Sequence, residues 1–255
     1  MKVLVTRPQP QADAWVEQLI GLGLDACALP LLGIADAIDP VAVQQAWAEL
    51  PGQQLVMFVS PNAVERFFAL APAAQAWPDA LLAAGTGPGT AAALLSHGVP
   101  ERQLVCPTAD GQSPDSEALW QILQDRADWQ GRRALIVRGE GGRNWLAERL
   151  AERGAAVRFV ESYRRIAPTL SALQLHCLQV ALQAPRAHVW VLSSSQALTH
   201  LAGLGVHPMG LGLHALATHD RVAEAARALG FEHVTVLAPT VQAVAAWVTR
   251  SIQSA

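Results

Sequence analysis

The chain is predicted to be an α/β protein in which parallel sheets carry helices on both faces. Two observations predict it: short apolar or β-branched runs alternate with helical patterns along the whole length, and the same series of segments occurs twice. Val3–Val5 opens as a strand and leads into an apolar-periodic helix around Trp15, Leu19 and Leu22, which Gly23 stops. Ala26–Leu29 reads as the next strand. The same logic recurs at Leu55–Val59, Leu81–Ala84, Leu104–Cys106, Ala134–Val137 and Val157–Val160, then at Val189–Leu192, Ala215–Ala217 and Val234–Leu237.

The duplication is the more informative pattern. Residues 2–29 lie over residues 133–160 without a gap, so that Leu4 meets Leu135, Arg7 meets Arg138, Glu17 meets Glu148, Leu19 meets Leu150 and Gly23 meets Gly154, each pair 131 positions apart. Ser60-Pro61-Asn62-Ala63 lies over Ser194-Ser195-Gln196-Ala197, 134 positions on. Thr86 meets Thr218, Gly98 meets Gly230, and Cys106-Pro107-Thr108 meets Ala238-Pro239-Thr240, 132 positions on. Chance likeness among α/β segments accounts for one such block but not for three in the same order. The chain is two copies of one unit of about 125 residues, an ordinary domain size. A tandem arrangement puts the boundary near Asp128–Arg132; a swapped one lets residues 1–30 complete the sheet of the C-terminal copy. Leu31–Ile38 and Arg164–Thr169 read as candidate hinges. Either arrangement leads us to expect a cleft between two similar domains, a common ligand site.

Composition removes several classes of function. Only 15% of residues are charged and the net charge is -3, so there is no basic footprint for nucleic acid. No segment approaches the roughly 18 apolar residues that span a bilayer, and the N-terminal apolar run is too short for a signal peptide, which together predict a cytoplasmic protein. The three cysteines, Cys27, Cys106 and Cys177, form no CxxC and are expected as buried free thiols in a reducing compartment. Lys2 is the only lysine against seventeen arginines, which removes Schiff-base, pyridoxal-phosphate and P-loop chemistry. The arginine bias fits a GC-rich genome and suits carboxylate recognition equally. No HExxH or paired Cys/His spacing points to a metal.

In a parallel α/β sheet ligands bind beyond the carboxyl ends of the strands. Those ends are followed here by Thr6-Arg7-Pro8, Ser60-Pro61-Asn62, Gly85-Thr86-Gly87-Pro88-Gly89-Thr90, Arg138-Gly139-Glu140-Gly141-Gly142-Arg143, Ser193-Ser194-Ser195 and Thr218-His219-Asp220-Arg221. Each loop is small and runs into a helix, whose N-terminus offers free N–H groups and the positive end of a dipole. Such loops suit a molecule with many anionic groups; singly, the same Ser, Thr and Asn residues are ordinary helix caps. The 85–90 loop fails as a GxGxxG dinucleotide motif because its last position is Thr90. The single tyrosine, Tyr163, follows a strand with arginines beside it, where a phenol can donate a proton to a leaving hydroxyl or simply edge a domain.

These segments resemble the uroporphyrinogen-III synthase family. The likeness is carried by VLVTRP with Leu29-Pro30-Leu31, FVSPNAVERFF at 58–68, AAGTGPGTAAAL at 83–94, and LIVRGEGGRNWLAERLAERGAAV at 135–157 with Tyr163-Arg164-Arg165 and Pro168. Ser193–Ala197 and Thr218–Gly230 complete it, so that it covers nearly the whole chain. The resemblance implies two flavodoxin-like parallel-sheet domains in the swapped arrangement, residues 1–33 with 168–255 and residues 38–163. A two-stranded connector at 34–37 and 164–167 and an interdomain cleft complete that expectation. It implies a lyase of tetrapyrrole and heme biosynthesis that closes hydroxymethylbilane to uroporphyrinogen III with loss of water and inversion of ring D through a spiro intermediate. No cofactor and no metal are implied, and a monomer is expected, with a transient contact with hydroxymethylbilane synthase as the one protein partnership. Tyr163 matches the family's tyrosine and Ser194 or Ser195 its cleft serine. Thr6, Arg7, Ser60, Asn62, Thr86, Gly87, Arg138, Gly139, Gly141 and Thr218 complete the expected substrate contacts. The chain departs from the family's Gly-Pro-Thr-like turn at His219-Asp220-Arg221, where Arg221 is offered to a carboxylate instead. Two rival readings remain open at this point: a non-catalytic two-domain binder of an anionic metabolite, and a nucleotide-dependent oxidoreductase that the failed glycine spacing disfavours.

Overall fold

The computed structural model describes residues 1–73, 75–107 and 116–253; Thr108, one of the repeat matches, lies outside them. In chain order the first elements are β1 (Lys2–Val5), α1 (Gln11–Gly21), β2 (Asp25–Ala28), β3 (Gly33–Asp36), α2 (Pro40–Ala48), β4 (Leu55–Phe58) and α3 (Pro61–Phe68). There follow β5 (Leu82–Gly85), α4 (Pro88–Ser96), β6 (Leu104–Val105), α5 (Ser116–Leu123), β7 (Arg133–Gly139), α6 (Trp145–Glu152) and β8 (Ala156–Ile166). The last are α7 (Ala172–Gln183), β9 (His188–Leu192), α8 (Ser195–Gly203), β10 (His214–Ala217), α9 (Asp220–Leu229), β11 (His233–Val236) and α10 (Val241–Gln253). Backbone contacts divide the chain into two units, Met1–Ile34 with Ile166–Ala255, and Ala35–Arg165.

In the first unit one five-stranded sheet has the order β11-β10-β9-β1-β2, parallel throughout. β1 pairs with β9, so the N-terminal segment completes the sheet of the C-terminal copy. The central strand β9 (HVWVL) is buried along its whole length, which is why it reads as a continuous apolar run rather than an alternating one. One face packs Leu4, Leu29 and Trp190 against α7, α8 and α9. The other packs Val3, Val5, Val189 and Val191 against α1 and α10.

The second unit repeats the plan. Its sheet has the order β3-β8-β7-β4-β5-β6, and the pairs from β8 to β6 are parallel. Reading β7, β8, β4, β5 and β6 for β1, β2, β9, β10 and β11 reproduces the neighbour pattern of the first sheet, as the sequence repeat requires. The one addition is β3, at the outer edge of β8. Residues 31–38 and 164–169, candidate hinges from the residue pattern and the place of the two-stranded connector that the resemblance implies at 34–37 and 164–167, contribute strand: β3 occupies Gly33–Asp36, and β8 runs on to Ile166. The fully buried β4 (LVMF) lies at the centre. Beneath it Trp47 stacks on Phe67 at 4.7 Å, and its indole N–H donates to the Phe67 carbonyl at 2.8 Å, so a buried donor is satisfied where the ring is packed.

The cysteines correct the sequence reading. Instead of three free thiols, Cys27 of β2 and Cys177 of α7 are joined as a disulfide, and Cys106 alone is free and half-buried. The partners are 150 positions apart, and only the folding of α7 over the edge of the first sheet brings them together, so no local spacing could signal the pair. Among the described residues, no helix is long and apolar enough to cross a membrane.

Candidate functional site

Because all strands of the first sheet and β4 to β8 of the second run parallel, their carboxyl ends share one edge of each sheet, and most of the sequence-predicted residues lie there. In the second unit β4 delivers Ser60, β5 delivers Thr86, β7 delivers Arg138 and Gly139, and β8 delivers Tyr163. Ser60 is the N-cap of α3, its Oγ accepting from the Ala63 N–H at 3.2 Å, and Pro61 fills the first helical position, where no N–H is needed. The Thr86 hydroxyl donates to the Val59 carbonyl at 3.2 Å, tying the β5 loop to the strand end that carries Ser60.

Register places Tyr163 beside Gly139, after an irregularity between Arg138 and Gly139. The Glu140 N–H donates to the Tyr163 carbonyl at 2.9 Å, which continues the pairing into the loop. The phenol ring lies across the Gly139 backbone: a Cβ there would stand 2.7 Å from ring carbons, so only glycine fits as the ring lies. Tyr163 is 1% exposed. Its hydroxyl is 3.1 Å from Ser60 Oγ and accepts from Arg165 Nη2 at 3.2 Å. Two expected site residues, far apart in sequence, therefore meet directly, and Arg165, which was not among the expected site residues, holds the phenol from its other side. Arg165 was legible in principle: on a strand, positions 163 and 165 share a face and Arg164 points away.

Arg138 is largely engaged already. Its Nη1 donates to Asn144 Oδ1 at 2.7 Å, its Nη2 is 3.7 Å from Glu161, and its guanidinium lies 4.0 Å over the Phe159 ring. Beyond it Gly141 and Gly142 take positive φ, 68° and 121°, which turns the loop into α6. Gly87 is the extended N-cap of α4, with Pro88 next; Asn62 lies in the first turn of α3.

In the first unit the Thr6 hydroxyl is buried and donates to the Val191 carbonyl at 2.7 Å, so this expected ligand residue holds β1 to β9. Arg7 lies 4.2 Å over the Trp15 ring, its Nε makes no hydrogen bond, and it has no acidic partner among the described residues. Burial pushes its guanidinium down to about 10, still well above neutrality. Ser194 caps α8 without a side-chain hydrogen bond, and Ser195 beside it is exposed. Thr218 is half-buried, His219 accepts from the Arg221 N–H at 3.2 Å, and the Arg221 side chain is exposed. A separate cavity of 640 Å³ lies along the edge of β2, walled by α1 and α7, and contains none of the expected site residues. Among the described residues, no group of three His, Cys, Asp or Glu side chains is gathered for a metal.

A doubly wound parallel sheet made twice, with hydroxyl, amide and guanidinium donors at its strand ends, defines a duplicated α/β protein. Comparison with known proteins then places it. The family model described as uroporphyrinogen-III synthase HemD matches residues 13–246. The chain is 31% identical over 246 residues to the uroporphyrinogen-III synthase of Escherichia coli, 92% of this chain and 94% of that protein. It is 38% identical over 170 residues to that of Salmonella typhimurium, 66% of each chain. The fold matches crystal structures of uroporphyrinogen III synthase from Thermus thermophilus (TM-score 0.60, 18% identity, all of both chains) and of the Helicobacter pylori synthetase (TM-score 0.57, 13% identity, 98% and 99%). The chain belongs to the uroporphyrinogen-III synthase family, a family of enzymes acting on a small molecule.

Proposed function

We propose that the protein is a uroporphyrinogen-III synthase, a lyase of tetrapyrrole biosynthesis that closes hydroxymethylbilane with loss of water and inversion of ring D. Beside family membership, the observation that carries this reading is the Ser60–Tyr163–Arg165 cluster at the carboxyl ends of the second unit's strands. The reaction asks for two things: a proton for the departing hydroxyl, and a grip on a floppy polycarboxylate that makes the substituted carbon of ring D attack. The spiro intermediate is the product of that attack. The cluster supplies the first. The second is positioning with electrostatic stabilisation, for which each unit offers its own strand-end donors. We assign carboxylate contacts to Arg7, Ser194, Ser195, Thr218 and Arg221 of the first unit and to the loops of Asn62, Gly87 and Gly141 of the second.

The test is direct. Purified protein without additives is expected to convert hydroxymethylbilane mainly to the type III isomer, resolved from type I by chromatography. Type I alone, the product of unassisted closure, would remove the synthase reading and leave a binding protein.

A further inference from the structure

The hydroxyl cluster of the second unit has a direction, and the direction changes which residue meets the substrate. Arginine is only a donor, so the Arg165 guanidinium occupies a lone pair of the Tyr163 oxygen. The phenol must place its own proton elsewhere, on a neighbouring acceptor, since buried hydroxyls are hydrogen-bonded and Tyr163 is 1% exposed. Among the described residues Ser60 Oγ, 3.1 Å away, is its one acceptor. Ser60 Oγ also accepts from the Ala63 N–H at 3.2 Å. With both lone pairs engaged, the serine's hydrogen points away from the phenol and from the helix end, and Ser60, unlike Tyr163, is only half-buried.

We propose that Ser60 is the catalytic residue that hands the proton to the departing hydroxyl, with Tyr163 and Arg165 behind it as positioning residues. This rests on the synthase reading above. The substrate's C–O bond breaks with its electron pair on oxygen, and that oxygen takes the Ser60 proton and leaves as water. Ser60 takes the Tyr163 proton, and the phenolate that results sits against the Arg165 guanidinium. The proton that the substrate loses on ring closure returns by the same route, so the enzyme ends each turnover unchanged. The first copy's equivalent serine, Ser194, has neither a side-chain cap bond nor a tyrosine near its counterpart position, where the chain has Leu32.

The test is a set of variants assayed for kcat and KM after wild-type enzyme has been shown to make the type III isomer; if it does not, the synthase reading fails first. Ser60→Asp keeps a helix cap but carries no proton at neutral pH. It is expected to melt like wild type and to lose about 10- to 100-fold in kcat with little change in KM, a modest value for a proton donor because the pyrrole already expels the hydroxyl. Ser60→Thr, which keeps both cap and proton, is expected within a few-fold of wild type. Tyr163→Phe lowers kcat without unfolding the protein, and Ser60→Asp with Tyr163→Phe is no slower than the slower single variant, as residues acting in one chain require. Arg165→Lys restores most of what Arg165→Met loses. A Ser60→Asp enzyme with wild-type kcat, or a double variant whose losses multiply, would overturn the proposal and return the contact with substrate to Tyr163.

Discussion

Arg7 and Arg138 stand at matching places in the two copies and meet different neighbours. Arg138 is held by Asn144, Glu161 and the Phe159 ring, while among the described residues Arg7 has only the Trp15 ring. Below pH 10 the buried Arg7 cation costs stability on the order of 3 kcal/mol, and that cost fades only as pH rises above 10, because the unfolded chain then binds the extra proton. A carboxylate brought by a ligand would offset it at once. Arg7→Met should therefore leave Tm unchanged or raised while raising KM for hydroxymethylbilane about 10-fold or more, the cost of losing one charge-assisted contact. A lowered Tm with unchanged KM would make Arg7 a purely structural residue. The likeness of the two arginines was readable from the repeat. Their different fates were not, since the residues that decide them, Asn144, Glu161 and Trp15, are brought in by tertiary packing.

At the scale of elements, the β7–β8 pair makes the candidate site. β8 carries Tyr163 and Arg165 on one face, and β7 ends in a glycine over which the phenol lies. Gly139→Ala is expected to push the ring off Ser60 and to lower kcat about 10- to 100-fold, as a displacement near 1 Å at a reacting group can. Wild-type kcat from a folded Gly139→Ala enzyme would show that the ring position is immaterial. Most strands were legible because buried parallel strands are short apolar runs between helices. β3 was legible only through the family resemblance, which implies a connector strand at 34–37; its own residues, Gly33-Ile34-Ala35-Asp36, are four and half-exposed, and they are held as a strand by β8. The stretch that joins the expected strand at 157–160 to the expected connector strand at 164–167 was hidden, since Glu161-Ser162-Tyr163 is polar enough to read as a loop until its partners are known.

For the whole molecule, the consequence of the swap is that neither half of the sequence owns a complete sheet. β4 needs β7, and β1 needs β9. The core of the second unit joins Leu55 and Met57 to Ala134, Ile136 and Leu150. A fragment of residues 35–165 is thus expected to fold and melt cooperatively, whereas residues 1–131, a natural cut for a tandem protein, should not. Circular dichroism melts decide it: a cooperative transition from 1–131 would contradict the pairing of β4 with β7. The duplication itself was visible in the sequence, because equivalent strand and loop positions keep equivalent residues. The swap followed from no pattern in one copy, since the same apolar strand satisfies either neighbour.

By itself the sequence determined the α/β class, the repeat, the strand-end loops and the family, because each is a matter of local periodicity, turn chemistry or the order of short motifs. Only the tertiary structure decided that Cys27 meets Cys177, that Thr6 spends its hydroxyl on β9, and that Tyr163, Ser60 and Arg165 form one hydrogen-bonded set. Those outcomes depend on which groups are brought within about 3 Å of each other, and a hydroxyl or thiol carries no sign along the chain of which partner it will find.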